Sequence, residues 1–143
     1  MKTGRYCFIL PVLLTAALAV GCKNQPSQQK IAALVVSEVE KANKIISGKH
    51  VDAVTICDSL SFDGKNVFYH NTLDEDIAQT TIQEYVESAQ KDALEINLQL
   101  TWATNPSMEP VKNMVRSLGG MIYYNYTGSR TGGSFTIEID PAD

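Results

Sequence analysis

Apolar residues recur along the chain with two different periods, and each change of period marks a predicted element. From Ser27 to Gly48 they recur every three or four positions, which predicts a helix with one buried face. Ser27 suits the N-cap and Gly48 the C-terminal end of this helix. Its apolar stripe comprises Ile31, Leu34, Val35, Val39, Ala42, Ile45 and Ile46. From Val51 to Phe62 the period becomes two, which predicts a half-buried strand.

A turn and a second strand follow this first strand. Residues 63–66, Asp-Gly-Lys-Asn, have turn chemistry, and Val67–Leu73 return as the second strand. A hairpin with this loop places Phe62 opposite Val67 and Asp58 opposite Asn71 on the apolar side of the sheet. The amide of Asn71 would then satisfy the Asp58 carboxylate. A bulge near Cys57 that turns Asp58 outward is the alternative.

Helical spacing returns after the second strand. Residues 74–100 predict one long helix, which opens at acidic residues that suit the positive end of a helix dipole. Its apolar stripe comprises Ile77, Thr81, Tyr85, Val86, Ala89, Ala93, Ile96 and Leu100. Trp102 is interpreted as a core or helix-end anchor. Asn105-Pro106 then breaks the chain before a shorter helix over residues 107–118, which ends at Gly119-Gly120.

The last elements form a second predicted hairpin, with strands at residues 121–126 and 134–139 around a glycine-rich loop. The order α-β-β-α-α-β-β predicts an α+β domain, in which a four-stranded antiparallel sheet of two hairpins has its helices packed on one face. Alternation assigns to the open face Thr55, Cys57, Ser59, Ser61, Phe68, His70, Thr72, Tyr123, Asn125, Thr136 and Glu138.

Phe68, His70 and Tyr123 stand on this predicted open face among small polar groups. Aromatic residues in such surroundings favour contact with a partner protein or a glycan, and an ordinary solvated face is the alternative. The sequence therefore predicts a binding patch at these three residues.

The N-terminal segment predicts export and a lipid anchor. Basic residues lead into an apolar run over residues 7–20, which is too short to span a bilayer. The last four residues, Ala19-Val20-Gly21-Cys22, resemble a lipobox, in which signal peptidase cuts before a diacylated cysteine. The resemblance implies a signal peptide over residues 1–21, a lipid on Cys22, a polar tether over residues 22–29, and one domain over residues 30–143.

Charge and the residue after Cys22 narrow the location. The whole chain has a formal charge of −4, and the predicted signal peptide removes Lys2 and Arg5 from it. An acidic domain lacks the electrostatic footprint of a nucleic-acid-binding protein. Anionic head groups would also repel it mildly, so the lipid must hold it at the membrane. Lys23 follows Cys22 at the position where an Asp would resemble an inner-membrane retention signal, so the outer membrane is favoured.

Candidate catalytic and metal-binding chemistry is sparse. With Cys7 removed and Cys22 acylated, Cys57 is left as a packed strand residue without a disulfide partner. The two histidines lack ligands at metal-binding spacing, so no metal or cofactor is expected. Ser59 and His70 lie on neighbouring strands, as a small hydrolase would need, but the chain has no G-x-S-x-G elbow. We expect no enzyme.

Four stretches of this domain carry a further resemblance: residues 54–62, Asn105-Pro106 before a short helix, and residues 120–126 and 135–139. Together they resemble a family of small bacterial lipoproteins of unknown function. The chain departs from the family at Asn71, where the family favours an aromatic residue. The resemblance implies the fold and location given above and brings no catalytic residues.

A non-catalytic envelope module that binds an unidentified envelope protein or glycan is therefore the favoured function. One alternative is a small envelope hydrolase around His70 and Ser59. The other is an inhibitor of an envelope-degrading enzyme.

Overall fold

In the computed structural model, which describes residues 27–143, the first helix begins at the predicted cap. Helix α1 spans Gln28–Ile46, and the Ser27 hydroxyl accepts a hydrogen bond from the Lys30 N–H. Gly48 follows the helix with φ 75°, a left-handed conformation that glycine adopts without strain. The last two residues of the predicted tether are thus helical. The predicted signal peptide and Cys22 lie outside the described residues.

The other elements follow α1 in chain order. They are β1 (Lys49–His50), β2 (Thr55–Phe62), β3 (Val67–Leu73), α2 (Glu75–Ala78), α3 (Ile82–Glu87), α4 (Ala89–Thr104), a 3-10 turn (Pro106–Met108), α5 (Glu109–Ser117), β4 (Ile122–Gly128) and β5 (Ser134–Ile139).

Within residues 27–143 the sheet has five strands in the order β1-β2-β3-β4-β5, and it is mixed. The prediction of four antiparallel strands was wrong in two respects. The two-residue β1 adds an edge strand that is too short to show any periodicity. The central strands β3 and β4 pair in parallel, with Val67 beside Ile122 and Leu73 beside Gly128. The intervening helices carry the chain back along the sheet, as a parallel pair requires.

A bulge in β2 corrects the predicted register. Phe62 lies opposite Val67 as predicted, but the pairing shifts by one residue between Cys57 and Ser59. Cys57 therefore faces Asn71, and the predicted pairing of Asp58 with Asn71 was wrong. The alternative of a bulge that turns Asp58 outward was correct.

The bulge also changes which side chains of β2 reach the open face. Thr55 and Cys57, predicted to be there, point into the core and are only 4% and 1% exposed. Burial raises the pKa of the Cys57 thiol to about 11. Asp58 is exposed, and its Oδ2 accepts a hydrogen bond of 2.7 Å from the Thr72 hydroxyl.

The predicted long helix over residues 74–100 is divided into α2, α3 and α4. Gln79 ends α2 in a left-handed conformation at φ 53°. Thr81 and Glu84 form a capping box that starts α3, and the Ser88 hydroxyl caps α4. Each of these side chains satisfies backbone N–H groups that a continuous helix would have bonded internally, so new helices begin there.

Tyr85 of the predicted apolar stripe packs against the core, but in α4 the buried side is opposite to the predicted one. Ile82, Leu98 and Trp102 are the buried residues of α3 and α4. Ile96 and Leu100, predicted to face the core, are 62% and 58% exposed. Trp102 is confirmed as a core anchor, since it is 1% exposed.

Helices pack on one face of the sheet, as predicted. The sheet side of this core contains a stack of Tyr69 on Tyr124, with ring centroids 4.4 Å apart. Trp102 Nε1 donates a hydrogen bond of 2.8 Å to the Tyr124 hydroxyl. Burial raises the pKa of both tyrosines. On the opposite face of the same strands the side chains are half-buried or exposed, so that face has no covering layer.

A side chain of α1 hydrogen-bonds the edge of β2 where the short β1 does not reach. Asn43 Nδ2 donates to the Leu60 carbonyl at 2.8 Å, and its Oδ1 accepts from the Leu60 N–H at 2.6 Å. The amide thus supplies the donor and acceptor that a neighbouring strand would offer to Leu60.

Glu75 joins the helical crossover to the loop between β4 and β5. It is 1% exposed and accepts hydrogen bonds from the Ile82 N–H at 3.1 Å and the Thr131 N–H at 3.0 Å. The Thr131 hydroxyl, which also donates to it, lowers the pKa of the Glu75 carboxyl most strongly. A Cβ at Gly128 would lie 1.9 Å from Glu75 Oε1, so only glycine fits beside this carboxylate.

Candidate functional site

The open face of the sheet brings together the three predicted binding residues. Phe68 and His70 project from β3, and Tyr123 projects from β4 as the register partner of Phe68. The Phe68 ring is stacked 5.2 Å from Tyr123 and 6.2 Å from His70, with interplanar angles of 15° in both pairs. All three residues are half-buried. They form a row of parallel rings, which we call the aromatic patch.

Hydrogen-bonded side chains surround the aromatic patch. Ser61 Oγ lies 2.8 Å from His70 Nε2. On the other side of the patch, the Thr136 hydroxyl donates to Asn125 Oδ1 at 2.8 Å. These contacts hold the polar groups beside the rings in fixed positions, as a recognition surface requires.

Ser59, which sequence reasoning paired with His70, is its backbone neighbour in the ladder. The side-chain hydrogen bond, however, is made by Ser61, which sequence reasoning did not single out. The available signal was geometric, since diagonal neighbours on one face of an antiparallel pair lie within reach of long side chains. His50, the other histidine of the chain, is in β1 at the edge of the sheet.

The arrangement supplies a serine and a histidine without the third group of a catalytic triad. Within residues 27–143, no carboxylate is hydrogen-bonded to His70. Asp58 is engaged by Thr72, and Glu138 lies opposite Tyr123 in the ladder between β4 and β5. The geometry is suited to surface contact through rings and hydroxyl groups. It does not orient His70 as a base by a carboxylate.

The charge of this face is negative. Its acidic strand residues are Asp58 and Glu138, and neither is paired with a basic side chain in the part of the chain that the structure describes. The patch therefore offers aromatic surface with an acidic margin.

In residues 27–143, no group of three or more His, Cys, Asp or Glu side chains has the arrangement of metal ligands. Over the same residues, no helix combines the length and the apolar character needed to cross a bilayer.

Comparison with known proteins reveals similarity in fold. No protein-family profile and no curated protein sequence matches the chain. The crystal structure of a Pseudomonas aeruginosa protein designated as secreted has a TM-score of 0.58 and 11% identity, covering 81% of this chain and 96% of that one. The pilotin EpsS of the Vibrio vulnificus type 2 secretion system has a TM-score of 0.55 and 10% identity, covering 80% and 92%. At this identity the likeness shows the fold alone.

Proposed function

We propose that the protein is a lipid-anchored, non-catalytic module of the bacterial envelope that binds a partner protein on the open face of its sheet. The aromatic patch carries this proposal. Three stacked rings on a face that the helices leave uncovered offer rigid contact area at low entropic cost, and aromatic residues often dominate protein recognition.

The setting of the patch supports a protein partner. Ser61, Asn125 and Thr136 flank the rings with hydroxyl and amide groups, so an apolar centre is bordered by hydrogen-bonding side chains, as in protein interfaces. The fold is also that of a pilotin of a type 2 secretion system, which supports a role beside other envelope proteins.

The proposed anchor would keep the domain close to its membrane. Cys22 carries the lipid in this proposal, and the first helix begins at Gln28. The intervening residues extend at most about 20 Å, at roughly 3.3–3.6 Å per residue. The partner is therefore a membrane component or a protein that approaches the membrane surface, and Lys23 favours the outer membrane.

Labelling with a fatty-acid analogue tests the anchor. The protein should be labelled in cells, and Cys22→Ser should abolish the label, because the lipid is attached through that sulfur. A processed wild-type protein that carries no label and leaves membranes in high salt would contradict the anchor without affecting the binding proposal.

Paired replacements on the open face test the binding proposal. Phe68→Ala with Tyr123→Ala should reduce crosslinking of the partner in intact cells. Stability should fall by about 2–4 kcal/mol, from two half-buried rings and one aromatic pair, so the variant is compared at a temperature at which it is folded. Ile77→Ala serves as the control, because Ile77 is 56% exposed and lies on α2, outside the strands that carry the patch. Equal crosslinking in the double variant and the control would refute the proposal.

One observation keeps the hydrolase alternative open. The hydrogen bond between Ser61 and His70 is of the kind that activates a nucleophile, and it moves the alternative from Ser59 to Ser61. If Ser61→Ala abolishes hydrolysis of an envelope ester, peptide or glycan while binding persists, the face is catalytic. Ser59→Ala is the matched control.

A further inference from the structure

Helix α4 is apolar on two opposite sides. Its inward side, with Leu94, Leu98 and Trp102, packs on the core. Its outward side presents a second stripe, in which apolar residues alternate at spacings of four and three. This exposed stripe consists of Ala89, Ala93, Ile96, Leu100 and Ala103. Apolar residues at these spacings form the line along which one helix packs against another.

Part of this stripe forms one wall of a groove of about 580 Å³. Ile96, Leu100 and Ala103 line this wall, Trp102 and Met121 also line the groove, and the opposite wall comes from the end of β5 and the residues that follow it. The residues lining that opposite wall are Glu138, Ile139, Asp140 and Asp143. Exposed leucine and isoleucine side chains thus border a concave surface, where a docked segment would bury them.

The wall that follows β5 is held in place. Lys112, only 5% exposed, donates from Nζ to the Asp143 carbonyl at 3.0 Å and to the Trp102 carbonyl at 3.3 Å. Arg116 Nε donates to the Pro141 carbonyl at 2.9 Å. These hydrogen bonds from α5 fix the main chain of residues 141–143. The groove is therefore preformed, and a ligand does not have to order residues 141–143 when it binds.

Charge selects the occupant of this groove. Glu138, Asp140 and Asp143 are exposed along one wall, and no lysine or arginine is among the lining residues. A second copy of this chain docked on the same surface would place acidic rims near each other, and anionic head groups would be repelled. A helix with apolar residues in heptad spacing and basic residues on its flank matches both walls.

We propose that the groove between α4 and β5 binds a basic amphipathic helix of another protein. The apolar stripe of that helix contacts Ile96, Leu100 and Ala103, and its lysine or arginine side chains face the acidic wall. The groove shares Glu138 with the acidic margin of the aromatic patch, but its apolar wall on α4 is separate from the three rings, so this proposal does not rest on the proposed function.

Synthetic peptides test this proposal. The probe is a fluorescent helical peptide with leucines in heptad spacing and flanking lysines, and a second peptide carries glutamates in place of the lysines. The full chain is used as the cell produces it, in phosphatidylcholine nanodiscs if it is recovered with membranes and in buffer if it is not, with a protein-free sample as the blank. The lysine peptide should bind and alter the emission of Trp102, the one tryptophan of the chain. Raising the salt concentration from roughly 0.05 to 0.5 M should weaken binding of the lysine peptide several-fold.

Variants on each wall locate the binding. Leu100→Asp should weaken binding of the lysine peptide by about tenfold or more, since it places a charge in an apolar contact. Ile77→Asp, at a similarly exposed position on α2, should leave it unchanged. Asp140→Lys with Asp143→Lys should reverse the preference between the two peptides, and neither position belongs to the aromatic patch. These last two positions are exposed, so the charge reversal remains informative if Leu100→Asp fails to fold.

Three results would overturn the proposal. One is equal binding of the lysine and glutamate peptides, and another is unchanged binding by a folded Leu100→Asp variant. The third is a wild-type dimer in sedimentation that Leu100→Asp dissociates, which would assign the groove to a second copy of the chain.

Discussion

Replacing Asn43 by alanine tests how α1 closes the free side of β2. The wild-type amide makes two hydrogen bonds with the backbone of Leu60, at 2.8 and 2.6 Å. Leu60 is 3% exposed, so water has poor access to the backbone groups that the variant leaves unpaired. The replacement should therefore destabilise the fold, although alanine itself favours a helix.

The magnitude follows from the two bonds. Each net hydrogen bond contributes about 0.5–1.5 kcal/mol, so Asn43→Ala should lower the free energy of unfolding by roughly 1–3 kcal/mol. For a domain of this size, about 1 kcal/mol shifts the melting temperature by roughly 4 °C, so we expect a fall of about 4–12 °C.

Urea denaturation and amide hydrogen exchange provide the two measurements. Asn97→Ala is the matched control, because Asn97 is an exposed asparagine within a helix, where alanine should be neutral or slightly stabilising. The Leu60 amide should exchange faster in Asn43→Ala only. If Asn43→Ala is as stable as the control and Leu60 stays protected, the reasoning about the sheet edge is refuted.

Further predictions concern the bulge, the buried carboxylate and the thiol. A double-mutant cycle of Asp58→Ala with Thr72→Val should show coupling of about 0.5–1 kcal/mol, whereas Asp58→Ala with Asn71→Ala should be additive in urea denaturation. The folded-state pKa of Glu75 is below its ordinary value of 4.5, so its stabilising contribution is present above that pH and is lost as the pH falls through the lowered pKa. Glu75→Gln should therefore flatten the pH dependence of the urea midpoint below 4.5, and an unchanged slope would contradict this. Because burial raises the pKa of Cys57, mass spectrometry should detect alkylation in urea and little in the folded protein at pH 8, and rapid labelling of the folded protein would argue against a packed thiol.

The elements that local patterns determine were predictable. Strand β3 has the predicted bounds, Val67–Leu73, because strict alternation and a turn before it define a strand without long-range information. The same holds for β5 at Ser134–Ile139. Alternation also placed Phe68, His70 and Tyr123 on one face, so the aromatic patch could be assembled from sequence, although its binding role stays a prediction.

The stripe on α4 could not be assigned from the sequence alone. This helix has apolar residues on both sides, and periodicity does not show which side meets the sheet. Ile96 and Leu100 therefore looked like core residues, and the groove they border was missed. The bulge at Cys57 was also undecided by alternation, since either orientation of Asp58 satisfied a local rule.

The direction of β4 depended on a longer-range inference. Two consecutive hairpins were expected to associate in an antiparallel sheet, but a connection with several helices is also long enough for a parallel crossover. The length of the segment between β3 and β4 was a usable signal. It was outweighed by the local hairpin patterns at either end.

The parallel pairing of β3 with β4 also has a consequence for the time course of folding. The hairpin of β2 and β3 involves residues close in sequence, whereas β3 meets β4 only after residues 74–121 have been made and folded back. Until then β3 is not paired with β4, and the side chains of Val67, Tyr69 and Leu73 are not yet buried. Non-local pairing of this kind slows folding and leaves an open strand edge prone to aggregation. During synthesis the edge of β3 stays exposed until β4 and β5 have been made. The protein should therefore depend on chaperones mainly between the synthesis of β3 and that of β4.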